Sequence, residues 1–170
     1  MSPPLLMDAC VLIDFVRGGR YVLELAAKYI GPVHVIKPIV DEVREIENED
    51  ELVELGVMVI DPELIDAFAA SSVAGPTSFQ DRLCVLTAKR LSCTCVTNDK
   101  QLRKYCAKEG VATWWGLQVL SELHKRGGIP ATDAIEVARR ISDSNPRHVN
   151  AQIVEKFIRE MKAGESPHAR

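Results

Sequence analysis

Residues 5–15 read LLMDACVLIDF. The short apolar run at 4–8, PLLMD, has the length of a buried strand, and Asp8 at its end would stand at the carboxyl edge of a sheet. Similar runs recur at 33–37 (VHVIK), 57–60 (VMVI), 94–97 (TCVT) and 111–114 (VATW). Helical patterns separate them at 20–30, 39–47, 49–55, 62–73, 79–92 and 99–109. Strands alternating with helices predict an α/β fold on a mostly parallel sheet. Pro38 and Pro62 suit first-turn positions, and Gly110 suits the end of a helix.

After Gly127 and Gly128 the strand signal stops, and two helical patterns remain near 132–142 and 147–163. The expected organisation is a main domain over 1–128 and a helical extension over 129–170, packed on that domain or on a partner. The closing ESPHAR is expected to fray.

Composition bounds the function. With 46% apolar and 26% charged residues among 170, the chain reads as a globular domain with one sizeable core. Five cysteines, odd in number and set in apolar stretches, together with an opening that lacks a basic leader, point to a reduced, cytoplasmic protein. No stretch approaches the ~20 apolar residues of a membrane span. A net charge of −3 argues against coating nucleic acid by bulk charge, so any such site must be local.

In open α/β sheets working groups gather beyond the carboxyl ends of the strands. Asp8 stands there, although a turn aspartate would read the same way. Glu42 in PIVDEVREI lies at the shoulder of a helix whose apolar face is Ile39, Val40, Val43 and Ile46, whereas Asp41 points away. Asp81 follows Ser78 at capping-box spacing, and it also heads a stripe of Cys84, Val85 and Ala88. Asp99 follows the strand TCVT and heads Leu102 and Cys106, while it also suits a helix N-terminus. Thr97 and Asn98 offer a hydroxyl and an amide alongside.

Each acid has an ordinary structural explanation when taken alone, but the α/β reading puts all four near one sheet edge. Two carboxylates ~6 Å apart repel by roughly 3 kcal/mol at an effective dielectric of 20. Four of them call for a cation, and all-oxygen donors favour Mg²⁺ or Mn²⁺ over zinc.

In order and approximate spacing, LLMDACVLIDFVRGG, Glu42, SFQDRLCVLTAKR and VTNDKQLRKY resemble the four motifs of PIN-domain nucleases, particularly the VapC-like toxins. The match spans about residues 4–120. The resemblance implies a three-layer α/β/α sandwich with added C-terminal helices, and metal-dependent endonucleolytic cleavage of RNA. It carries the family's acids onto Asp8, Glu42, Asp81 and Asp99, with Thr97 matching the hydroxyl of the fourth motif. It also implies a small antitoxin partner and a homodimer. Two positions depart from the pattern: Cys10 stands where the family often has Ser or Asn, and Gln101 where it often has an acid.

The expected chemistry is attack of water on a phosphodiester. Asp8, Asp81 and Asp99 are the expected metal ligands, and Glu42 either ligates or orients the nucleophile. Arg17, Arg20, Arg82, Lys100 and Arg103 lie near the motif ends and are the expected RNA contacts. Trp114 and Trp115 suit a core or an interface, or else a stacked base. The departures at Cys10 and Gln101 leave a catalytically impaired RNA-binding or scaffold module as the alternative.

Overall fold

The computed structural model describes residues 2–164; the ESPHAR end at 165–170, including His168, lies outside the described residues. Five strands, β1 (Leu5–Met7), β2 (Val33–Ile36), β3 (Val57–Ile60), β4 (Thr94–Val96) and β5 (Thr113–Trp114), form one sheet in the order β3-β2-β1-β4-β5. Every neighbouring pair is parallel, with Leu5 opposite both Val33 and Thr94. Leu5, Leu6 and Met7 are fully buried, as a central strand covered on both faces requires. All five strand expectations match the structure.

The helices are α1 (Ala9–Gly18), α2 (Tyr21–Tyr29), α3 (Lys37–Val40), α4 (Asp50–Glu54), α5 (Leu64–Ser71), α6 (Phe79–Arg90), α7 (Lys100–Glu109), α8 (Gly116–Lys125), α9 (Ala131–Ser144) and α10 (Ala151–Gly164). Helices α5, α6 and α7 pack together in one layer, and α1, α2, α8 and α9 meet in the other. The result is a three-layer α/β/α architecture. Gly110 ends α7 in the left-handed conformation at φ 70°, as a helix-closing glycine should.

Three local expectations are corrected. The helix expected over 39–47 stops at Val40, and the chain continues through i→i+3 bonds from Glu42 to Ile39, Val43 to Val40 and Ile46 to Val43. Val40, Val43 and Ile46 recur every three residues, so they stay buried in these tighter turns as well as they would in an α-helix. Pro62 precedes the first turn of α5 instead of occupying it, because Glu63 is the cap. Helices α1 and α8 were not expected.

Helix α1 explains how the chain leaves the sheet. Its buried residues include Val11, Asp14, Phe15 and Gly18, at i, i+3, i+4 and i+7. Gly18 is where α9 comes closest: a Cβ there would lie 2.7 Å from Ile141 Cγ1. The C-terminal helices thus rest on α1 and α8.

The strand order reverses between β1 and β4. Connections leave these adjacent strands toward opposite sides, and a crevice opens beyond their carboxyl ends. Asp8 follows β1 there, and Thr97, Asn98 and Asp99 follow β4.

Candidate active site

Asp8 caps α1. Its Oδ1 accepts the Val11 N–H at 2.8 Å, and its Oδ2 accepts the Thr97 hydroxyl. Its backbone N–H donates to Val96 O at 3.1 Å, which ties the end of β1 to β4. The side chain is 2% exposed. Burial raises its pKa to about 7 against the pull of the Thr97 and Val11 bonds, and the negative charges of Asp81 and Asp14 push the same way.

Thr97 is buried and links two acids, since its Oγ1 donates to Asp8 and accepts the Asp99 N–H at 3.1 Å. Asp99 caps α7, where its Oδ1 accepts Gln101 N–H at 2.7 Å and Leu102 N–H at 3.1 Å. Asp81 sits in the capping box of α6: its N–H donates to Ser78 Oγ at 3.1 Å, and its Oδ2 accepts Ser78 N–H at 3.4 Å. Both structural explanations for these acids are therefore real, yet Asp81 still adds to the field at Asp8.

Glu42 behaves differently. It is exposed in the turns after α3, and the acids that raise Asp8 are Asp81 and Asp14. The second buried carboxylate in the crevice is Asp14, 3% exposed, whose Oδ2 accepts Asn98 Nδ2–H at 3.1 Å and whose Oδ1 accepts Asn145 Nδ2–H at 2.9 Å. Burial raises the Asp14 pKa against those two bonds. Asn98 also accepts the Gly116 N–H at 2.9 Å, so one amide joins α1 to the start of α8. Sequence reading missed Asp14 because it missed α1. Had the stripe Val11, Asp14, Phe15, Gly18 been recognised as helical, an acid on its buried face would have stood out.

Cys10 lies between these groups, with its Sγ 3.8 Å from Asn145 Nδ2. Burial and the neighbouring acids push its thiol up to about 12, so it stays neutral near pH 7. Behind the site, the free thiols of Cys84, Cys95 and Cys106 lie fully buried in the core.

The five basic residues separate into two groups. Arg17 pairs with Glu45, and Arg20 with Glu51 and the Glu45 carbonyl. Arg82 holds the Ala70 and Thr77 carbonyls. Lys100 is exposed beside Asp99. The Arg103 guanidinium lies 3.7 Å from the centre of the Trp115 ring, which is itself 43% exposed. Trp114 is partly buried against the core.

Among the described residues no three His, Cys, Asp or Glu side chains converge as a ready-made metal nest. The donor chemistry is nevertheless that of a hard cation. Mg²⁺ is commonly held by one or two carboxylates, with water and substrate phosphate completing its shell. Asp8 beside Asp99, with Asp81 in electrostatic reach, fits such a partial, oxygen-only set, and it does not fit a four-ligand zinc site.

No family model matches the chain. No curated protein matches it either. Among solved structures, it is similar to a PilT N-terminus domain protein from the hyperthermophilic archaeon Sulfolobus solfataricus P2, with a TM-score of 0.50 and 13% identity. The alignment covers 71% of this chain and 92% of that one. At that identity the likeness concerns the fold.

Proposed function

We propose, on the premise of a PilT N-terminus fold, that this protein is a metal-dependent endonuclease that cleaves RNA phosphodiester bonds, and that it serves as the toxin of a toxin-antitoxin pair. The observation that carries the reading is the buried Asp8 at the switch point of the sheet, hydrogen-bonded through Thr97 to the turn that presents Asp99. A carboxylate held there against its desolvation needs a compensating charge, and a polar ligand would supply it.

Asp8, Asp81 and Asp99 would hold Mg²⁺ or Mn²⁺. Bound there, the ion supplies Lewis-acid stabilisation of phosphoryl oxygens and acidifies a coordinated water. The chain's own residues do the positioning. Val11 and Thr97 fix the plane of the Asp8 carboxylate, and Asn98 fixes Asp14 behind it. Lys100 brings positive charge to the crevice beside Asp99, where a backbone phosphate would lie. Glu42, exposed as it is, has no part in this arrangement as it stands.

The partners proposed are an RNA substrate, a small antitoxin and a second copy of the chain. One surface supports a protein partner: Leu64, Ile65 and Phe68 on α5 are 81%, 68% and 74% exposed. The protein is proposed to act in the cytoplasm; among the described residues no helix is long and apolar enough to cross a membrane.

Cys10, where the family pattern often has Ser or Asn, and Gln101, where it often has an acid, favour a second reading, a catalytically impaired RNA-binding scaffold on the same fold. Incubation with a panel of folded RNAs, with Mn²⁺ or with EDTA, separates the two. A nuclease cuts only with the ion, and Asp8→Asn abolishes the cutting while the fold persists. A scaffold leaves every RNA intact, and cutting that survives Asp8→Asn removes the site assignment.

A further inference from the structure

Beside the acids, a groove of about 500 Å³ runs between the start of α8 and α10. The nuclease reading uses only its edge, through Asn98 and Lys100. Asn98 belongs to both places: its side chain lines the groove and also binds Asp14, and it lies between Thr97 and Asp99 in the chain. A strand with one phosphate at the acids would therefore bring its neighbouring nucleotide to this groove.

The lining chemistry is that of a base site. Trp115 forms one wall and is 43% exposed, while the buried Phe157 lies in the floor. Arg103 stacks on the indole but is not part of the groove lining, so it braces the ring from outside and leaves the remainder to an occupant. Cation stacking of this kind stiffens an exposed aromatic platform. Gln118 offers hydrogen-bonding atoms to the edge of a ring, although its Oε1 also accepts the backbone N–H of Trp115 at 3.4 Å. Lys100 and Lys156 bring positive charge to the rim, and Glu160, the one acid in the lining among the described residues, lies 3.7 Å from Lys156. An apolar slot with one exposed indole and a net positive rim suits a flat ring that carries a phosphate.

We infer that this groove holds an unpaired base of single-stranded RNA, stacked on Trp115, with its backbone phosphate near Lys100 and Lys156. The inference rests on the nuclease reading for its choice of ligand and deepens it: the substrate is engaged as a single strand, one base beyond the acids. It also assigns the C-terminal helix α10 to substrate binding. Stacking on an aromatic side chain tolerates any base, so the groove selects for single-strandedness more than for sequence.

The test uses the full chain in EDTA, so that binding is read without cleavage. A fluorescein-labelled single-stranded RNA of about ten nucleotides, and an abasic strand of equal length, are titrated by anisotropy. In parallel, a Trp114→Phe background makes Trp115 the sole indole for fluorescence quenching. The expected result is quenching by the base-bearing strand, at least tenfold weaker binding for Trp115→Ala, substantial recovery in Trp115→Phe, and weak binding of the abasic strand. Lys156→Glu, on the exposed face of α10, weakens binding too and carries the test should Trp115→Ala fold poorly. Equal affinity of wild type, Trp115→Ala and Lys156→Glu, or of base-bearing and abasic strands, overturns the inference.

Failure of the underlying reading looks different. If cleavage by wild type proceeds and stops with Asp8→Asn while Trp115 proves irrelevant, only the base site falls. If Trp115-dependent binding is found but no cleavage, the base site stands and the nuclease reading falls.

Discussion

Asp8 is held by two hydrogen bonds and destabilised by its burial, and the two can be separated by changing one atom. In Asp8→Asn the amide oxygen still accepts from Val11, and its N–H₂ can donate to Thr97 Oγ1, so the partners survive while the charge goes. The folded-state pKa of about 7 lies above the ordinary 3.8, so the native state binds the proton more tightly than the unfolded chain does. Stability therefore falls as pH rises from about 4 through about 7, and stays at the lower level above that. The displacement corresponds to a penalty on the order of 4 kcal/mol. Recovery of about 2 kcal/mol would raise the melting temperature of a chain this size by roughly 4–8 °C. Thermal melts in EDTA should show that gain at pH 8 and much less of it at pH 5; an unchanged or lower melting temperature at pH 8 would contradict the burial argument.

At the scale of elements, the contact between α1 and α9 is the most exacting. A methyl at Gly18 would meet Ile141 Cγ1 at 2.7 Å, a distance at which the Ile141 side chain or one of the two helices must move. Gly18→Ala should cost about 1–3 kcal/mol in denaturant unfolding through overpacking. Ile141→Ala removes Cγ1 itself, so the double variant should be more stable than the sum of the two losses. Additive losses would show that the helices are not in contact there. The same region shows what could be read in advance. The strands were legible because each is a short apolar run between breakers, and Gly110 was legible because αL geometry favours glycine. Helix α1 was not, since Val11, Ile13 and Val16 are β-branched and its helicity is set by burial against neighbours far away in the chain. The turns after Val40 were misread for a related reason: apolar spacing of three fits two kinds of turn, and only packing chooses between them. Of the site, Asp8, Thr97, Asn98 and Asp99 followed from strand ends, whereas Asp14 depended on the missed helix and Glu42 on a helix that does not form.

Across the whole molecule, one layer turns part of its apolar face outward. Asp66 of α5 points inward to Arg90 at 2.8 Å and Thr87 at 3.3 Å, which leaves Leu64, Ile65 and Phe68 on the outside. Exposed apolar side chains grouped in this way suit the protein partner proposed above. If that protein is a second copy, light scattering should find a dimer for the wild type and a monomer for Phe68→Asp with an unchanged circular dichroism spectrum. A dimer that survives the substitution places self-association elsewhere. The sheet order sets the remaining feature of the whole, since it brings Asp8 and Asp99, ninety-one positions apart in the chain, to the same crevice. Titration of Mn²⁺ against the purified chain, followed by the paramagnetic signal of the free ion, reports directly on whether that crevice is a divalent-ion site. Uptake by the wild type that weakens by roughly tenfold or more in both Asp8→Asn and Asp99→Asn would support it; no uptake, or uptake undiminished in the two variants, would contradict it.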